Sequence, residues 1–223
     1  MSITKSNVIA TIGATGMIPV FYQADPGVAK SIVDACYAGG VRIFEFTNRG
    51  EKAFDVFTEL LSHIRKYEDA VLGIGTIMSD EDTRKYCNAG AHFIVSPILK
   101  PSMGRVCDEF DVNWIPGCAT LTEIVTAHES GAPLVKLFPG SVLGPRFVAS
   151  VKPVIPQIRL MPTGGVEPSE ESLSEWFSAG VFCVGMGSQL VSNEIIKQND
   201  WKRLEDQTRK AMDVIRAIRR SKE

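Results

Sequence analysis

The sequence predicts a one-domain α/β fold of eight consecutive strand–helix units, and three observations carry that prediction. Short β-rich runs recur eight times, with starts 24, 29, 22, 21, 21, 23 and 24 residues apart. The segments between them repeat their apolar residues at helical spacing. Many of those segments end in glycine immediately before the next run, where a left-handed C-cap would stop a helix.

The units follow in order. Met17–Tyr22 is the first run, and Val28, Ile32, Ala35 and Cys36 then form one helical face up to Gly39-Gly40. Val41–Thr47 follows, with Phe54, Phe57 and Leu61 on the next face. Ala70–Thr76 and His92–Pro97 are separated by a segment ending in Ala89-Gly90, and Asn113–Gly117 comes next. Ser130-Gly131 precedes Leu134–Pro139, Gln157–Thr163 follows, and Ala179-Gly180 precedes Val181–Met186. Asp200 is a plausible N-cap for a last helix with Leu204, Ala211, Ile215 and Ile218 on one face. Eight such units in 223 residues fit a compact (β/α)8 TIM barrel spanning 1–223 as a single domain. An open doubly wound sheet would place a glycine-rich fingerprint after the first strand, whereas Gly13 and Gly16 precede it.

A net charge of −2 gives no argument for nucleic acid or membrane partners. The stretch from Arg216 to Lys222 is locally basic but flanked by Asp213 and Glu223, as suits a solvated helix end. No leader or membrane-length apolar segment is evident, and five scattered cysteines without a C-x-x-C fit reduced thiols, so a cytoplasmic location is expected. His63, His92 and His128 lack metal-ligand spacing, so no metal and no cofactor are expected.

Lys136 breaks the apolar run Leu134-Val135-Lys136-Leu137-Phe138-Pro139. Lysine is rarely buried unpaired. Burial disfavours its charged form, and a neutral amine attacks carbonyls to form Schiff bases. The alternative is an edge lysine whose head reaches water. Glu45, between Phe44 and Phe46 at the end of the second run, is either a partly desolvated proton carrier or the partner of Arg49 in a structural ion pair. Thr76 and the backbone N–H groups near it can bind a carboxylate or carbonyl oxygen. Cys118 reads as a small packed residue. The glycine-rich stretches Thr163-Gly164-Gly165 and Gly187-Ser188 follow runs seven and eight, the usual phosphate site of such barrels.

Glu45-Phe46-Thr47-Asn48-Arg49, Gly75-Thr76, Val135-Lys136-Leu137-Phe138-Pro139 and Pro162-Thr163-Gly164-Gly165 together resemble the KHG/KDPG aldolase family, in order from about Met17 to Leu190. The pairing of K-x-F-P with an upstream E-x-T-x-R is the specific part of that resemblance. The resemblance implies a metal-independent class I aldolase, a homotrimeric barrel with an extra N-terminal helix. It implies Lys136 as the Schiff-base lysine, Glu45 as general acid/base, and Arg49 and Thr76 as binders of the pyruvate moiety. Gly164, Gly165, Gly187 and Ser188 would hold phosphate, with Thr163 beside them. The substrate implied is 2-keto-3-deoxy-6-phosphogluconate, cleaved to pyruvate and glyceraldehyde 3-phosphate, or 4-hydroxy-2-oxoglutarate, cleaved to pyruvate and glyoxylate. The galactonate epimer is an alternative, and so is a barrel that binds a phosphorylated sugar acid without turning it over. Phe46, Asn48, Gly50 and Gly140 depart from the family pattern, so the expected effect is on substrate choice, with Asn48 and the Gly140 loop as the places to look.

Overall fold

The computed structural model describes residues 3–221; Met1, Ser2, Lys222 and Glu223, and with them the last residue of the basic stretch and one of its acidic flanks, lie outside the described residues. A helix α1 (Lys5–Thr15) precedes the first strand, capped by the Thr4 side chain and stopped by Gly16 at φ 73°. The strands are β1 (Met17–Phe21), β2 (Ile43–Thr47), β3 (Val71–Gly75), β4 (Phe93–Val95), β5 (Asn113–Ile115), β6 (Gly117–Cys118), β7 (Val135–Leu137), β8 (Leu160–Pro162) and β9 (Val184–Met186). The helices between and after them are α2 (Pro26–Ala38), α3 (Ala53–Ile64), α4 (Asp80–Ala89), α5 (Pro101–Glu109), α6 (Leu121–Glu129), α7 (Gly140–Val151), α8 (Glu170–Ser178), α9 (Asn193–Gln198) and α10 (Trp201–Arg220).

All strand pairs are parallel. They run in two arcs, β5-β4-β3-β2-β1-β9 and β6-β7-β8. A parallel bridge between Thr163 and Gly185 links the end of the second arc to β9. The expected fifth strand is split into β5 and β6 at Pro116, whose ring has no N–H for a ladder. Its carbonyl still accepts from Lys136 N at 2.9 Å. The result is an α/β fold around a curled parallel sheet.

Two apolar clusters follow from the period-2 alternation of strands. On the concave side, Ile18, Ile43, Val71, Phe93, Val95, Ile115, Leu134, Met161 and Cys183 pack together. Val8 and Ile12 of α1 join this cluster. The convex side packs against the helices through residues such as Phe44, Phe46, Leu72, Ile94, Val135 and Val184. Each fully buried Ile, Leu or Phe contributes roughly 1.5–3 kcal/mol.

The glycine stops are observed: Gly40, Gly90, Gly131 and Gly180 all have positive φ, between 87° and 108°. Asp200 caps α10 by accepting from Arg203 N, and Leu204, Ala211 and Ile215 are buried, with Ile218 half-buried. One element departs from smooth periodicity. α7 is broken at Gly144 (φ 70°, ψ 169°), because Pro145 disfavours helical geometry in the residue before it. Among the described residues no helix is long and apolar enough to cross a membrane.

Candidate active site

Lys136 is two residues beyond Leu134 on β7, and Glu45 two residues beyond Ile43 on β2. Both therefore project from the same concave face as the inner cluster, one step nearer the C-terminal ends of the strands. There Lys136 Nζ donates to Glu45 Oε1 at 3.2 Å. Glu45 is fully buried and Lys136 is 5% exposed. The carboxylate's partner is Lys136, so the Glu45–Arg49 ion pair weighed from the sequence does not form. A snorkelling edge lysine is excluded too. Glu45 Oε2 is buried with no hydrogen-bond partner, which leaves one oxygen free to take a proton from a bound molecule.

Room for this pair comes from glycine. A Cβ on Gly75 would overlap Glu45 Oε1. Gly75→Ala is expected to push the carboxylate off Lys136. Displacement of about 1 Å costs on the order of 10²-fold in rate, so kcat should fall by that amount with folding retained, as checked by steady-state kinetics and circular dichroism. Thr76 follows at φ 63°, an uncommon conformation for a threonine. It is half-buried and follows Gly75, which packs against Glu45, but it does not line the cavity described next.

A cavity of about 420 Å³ opens at the C-terminal ends of β1, β2, β7, β8 and β9. That volume suits a small-molecule ligand. Arg49, Thr163, Gly164, Gly165, Gly187 and Ser188 all line it, so six of the residues singled out from the sequence converge there. Phe138, whose ring lies 5.6 Å from Lys136 Nζ, also lines it and connects cavity to lysine. The Arg49 guanidinium makes no hydrogen bond or ion pair with another described residue. Thr163 Oγ1 is likewise buried without a partner, packed where Gly185 lacks a side chain. Gly164 and Gly165 sit at φ 94° and 73°.

Sequence reasoning misplaced Asn48. Its Oδ1 accepts from Tyr86 OH at 2.8 Å, which turns it toward α4 rather than into the cavity. It missed Tyr22, Thr47 and Gln189, which do line the cavity. Tyr22 lies one residue beyond β1, where it packs on Phe46 while lining the cavity. The other departures have local causes. Gly140 N donates to Thr163 O at 2.8 Å, and a Cβ there would come within 2.6 Å of Gly164 O. Gly50 has φ 84° and lies under Tyr22 OH. Phe46 packs edge-on against Phe21 with centroids 5.5 Å apart. Cys118 is packed as expected, and burial pushes its thiol up to about 12, so it is inert. Among the described residues no group of His, Cys, Asp and Glu could hold a metal ion.

A buried amine–carboxylate pair beneath a cavity that holds an unpaired Arg49 and two glycine-rich loops, at the C-terminal rim of a curled parallel sheet, is the equipment of an enzyme acting on a small molecule. The model of the KDPG and KHG aldolase family matches residues 8–207. The KHG/KDPG aldolase of Escherichia coli K12 is 28% identical over 212 residues, 94% of this chain and 96% of that one. The 2-dehydro-3-deoxy-6-phosphogalactonate aldolase of the same strain is 36% identical over 124 residues, which are 55% of this chain and 60% of that protein. The structure of KDPG aldolase from Legionella pneumophila, with pyruvate captured as a covalent carbinolamine, superposes with a TM-score of 0.81 at 27% identity, covering 90% of this chain and 96% of that one. The chain belongs to the KDPG and KHG aldolase family. It is an aldolase, and so a lyase.

Proposed function

We propose that this chain cleaves 2-keto-3-deoxy-6-phosphogluconate to pyruvate and glyceraldehyde 3-phosphate through a Schiff base on Lys136, with 4-hydroxy-2-oxoglutarate as a second substrate. The two strand arcs then act as one closed (β/α)8 barrel, β5 and β6 serving as a single strand interrupted at Pro116, with α1 as the extra N-terminal helix. The observation that carries the reading is the 3.2 Å contact of buried Lys136 with Glu45 beneath the Arg49-lined cavity.

Lys136 gives its proton to Glu45 and attacks the C2 ketone. Glu45 returns protons as the carbinolamine loses water. The iminium draws electrons from the C3–C4 bond as Glu45 removes the C4 hydroxyl proton, and the aldehyde leaves. The enamine is protonated at C3, and water releases pyruvate and restores Lys136. Arg49 holds the substrate carboxylate through its planar fork of donors, assisted by Thr76. The N–H groups at Gly164-Gly165 and Gly187-Ser188 hold the phosphate, with Thr163 beside them. Such remote binding orients the reacting bond.

The test is borohydride reduction in the presence of pyruvate, which should add one pyruvyl group at Lys136. No adduct on Lys136 would sink the Schiff-base reading. Arg49→Ala should raise the pyruvate concentration needed for half-maximal trapping by roughly 10-fold or more, because a charged hydrogen bond contributes about 1.5–3 kcal/mol.

A galactonate-epimer substrate is the second reading, favoured by the 36% identity to the phosphogalactonate aldolase over just over half of this chain. It uses the same lysine and glutamate. Pyruvate release from each C4 epimer separates the two. A homotrimer in the cytoplasm completes the proposal. Five free, buried cysteines suit a reducing compartment, and sedimentation of the purified protein tests the trimer.

A further inference from the structure

We infer that Tyr22 is a specificity-determining residue whose hydroxyl hydrogen-bonds the aldehyde half of the substrate. This rests on the Schiff-base reading above.

The chain has four tyrosines. Three have their hydroxyls engaged within the protein: Tyr37 with Asp69 at 2.7 Å, Tyr67 with Asp34 at 2.8 Å and Tyr86 with Asn48 at 2.8 Å. Among the described residues Tyr22 OH has no hydrogen-bond partner, and Tyr22 lines the cavity. Its ring is held rather than loose. It packs on Phe46 with centroids 5.7 Å apart, and Phe46 is itself fixed against Phe21. The hydroxyl lies over Gly50, 2.8 Å from where a Cβ would stand, so the loop after β2 makes room for the phenol by carrying no side chain. A tyrosine with a fixed ring and an unspent hydroxyl is a preorganised donor and acceptor.

Register decides which part of the substrate it meets. Pro19 pairs with Met186, so the chain beyond β1 rises beside Gly187-Ser188. Phe21 pairs with Phe46, so on its other side lie Thr47 and Arg49. Tyr22 is therefore at the rim, between Arg49, which takes the carboxylate in the proposed reaction, and the anion-binding loop, which takes the phosphate. The oxygens that lie between those two ends of the substrate are the hydroxyls of the fragment that departs as aldehyde.

The experiment compares two reactions in one protein. Deuterium exchange into the methyl group of pyruvate needs Lys136 and Glu45 but no aldehyde half. Retro-aldol cleavage of 2-keto-3-deoxy-6-phosphogluconate, or of its galactonate epimer if that is cleaved faster, needs both halves. Tyr22→Phe keeps the ring and removes the hydroxyl. Its kcat/KM for cleavage should fall about 10-fold, the size of one hydrogen bond, with exchange unchanged within about 2-fold. Unchanged cleavage with normal exchange overturns the role of Tyr22 alone. A parallel fall in both reactions overturns it too, because it would mean that Tyr22 only braces Phe46. Absence of exchange in the unaltered protein removes the Schiff-base reading, and the Tyr22 inference with it.

Discussion

Lys136→Met is expected to release no measurable pyruvate, a loss on the order of 10⁴-fold or more, because the nucleophile of the proposed covalent mechanism is deleted. Mass spectrometry after borohydride treatment with pyruvate should show no adduct. The variant also isolates the electrostatics of the pair. Glu45 is fully buried, and Lys136 is the cation that meets it. Removing one partner of a buried pair costs about 3–5 kcal/mol, because the remaining charge is left without compensation. Lys136→Met should therefore unfold at lower urea than the parent, and Lys136→Met combined with Glu45→Gln should recover much of the difference. If the double variant were no more stable than the single one, the pair would not be the electrostatic unit described above.

Glu45→Gln separates proton carrier from nucleophile. Removing a positioned acid/base typically costs 10²–10⁴-fold, so kcat should fall by about that range. The pyruvyl adduct should still form on Lys136, only more slowly. A variant with near-normal kcat would transfer the proton role to another group. Glutamine keeps the size and can still accept from Lys136 through its amide oxygen, so the change tests proton transfer rather than packing. The unpartnered Oε2 is the atom on which this test bears.

Most of the fold was legible because its units repeat. Each strand has an apolar run, four of the preceding helices end in glycine, and those four glycine stops named from sequence all have positive φ. The strand ends were less legible. The run Leu134–Pro139 reads as six continuous residues, but only Val135–Leu137 are laddered. Beyond them the chain bends over the cavity, and its backbone pairs with the loop after β8 through Gly140 and Thr163. The break at Pro116 and the kink at Gly144 are local proline effects within an otherwise regular pattern. At the site, Lys136 and Glu45 were legible as polar residues in apolar strands, but their contact was not, since 91 residues separate them. Asn48 looked equivalent to Arg49 in the sequence. Only the position of Tyr86 on α4 shows that its amide oxygen is spent on a hydrogen bond within the protein. Tyr22 and Phe138 were passed over because an aromatic residue at a strand end usually belongs to the core.

Val8 and Ile12 bring α1 into the inner cluster at the end of the sheet opposite the cavity. The reactive pair thus has an apolar floor beneath it, on the side away from the cavity. In the reaction proposed above, substrate and water reach the pair from the cavity side, past Phe138, so the aldehyde is expected to leave before water frees the pyruvate held on Lys136 behind it.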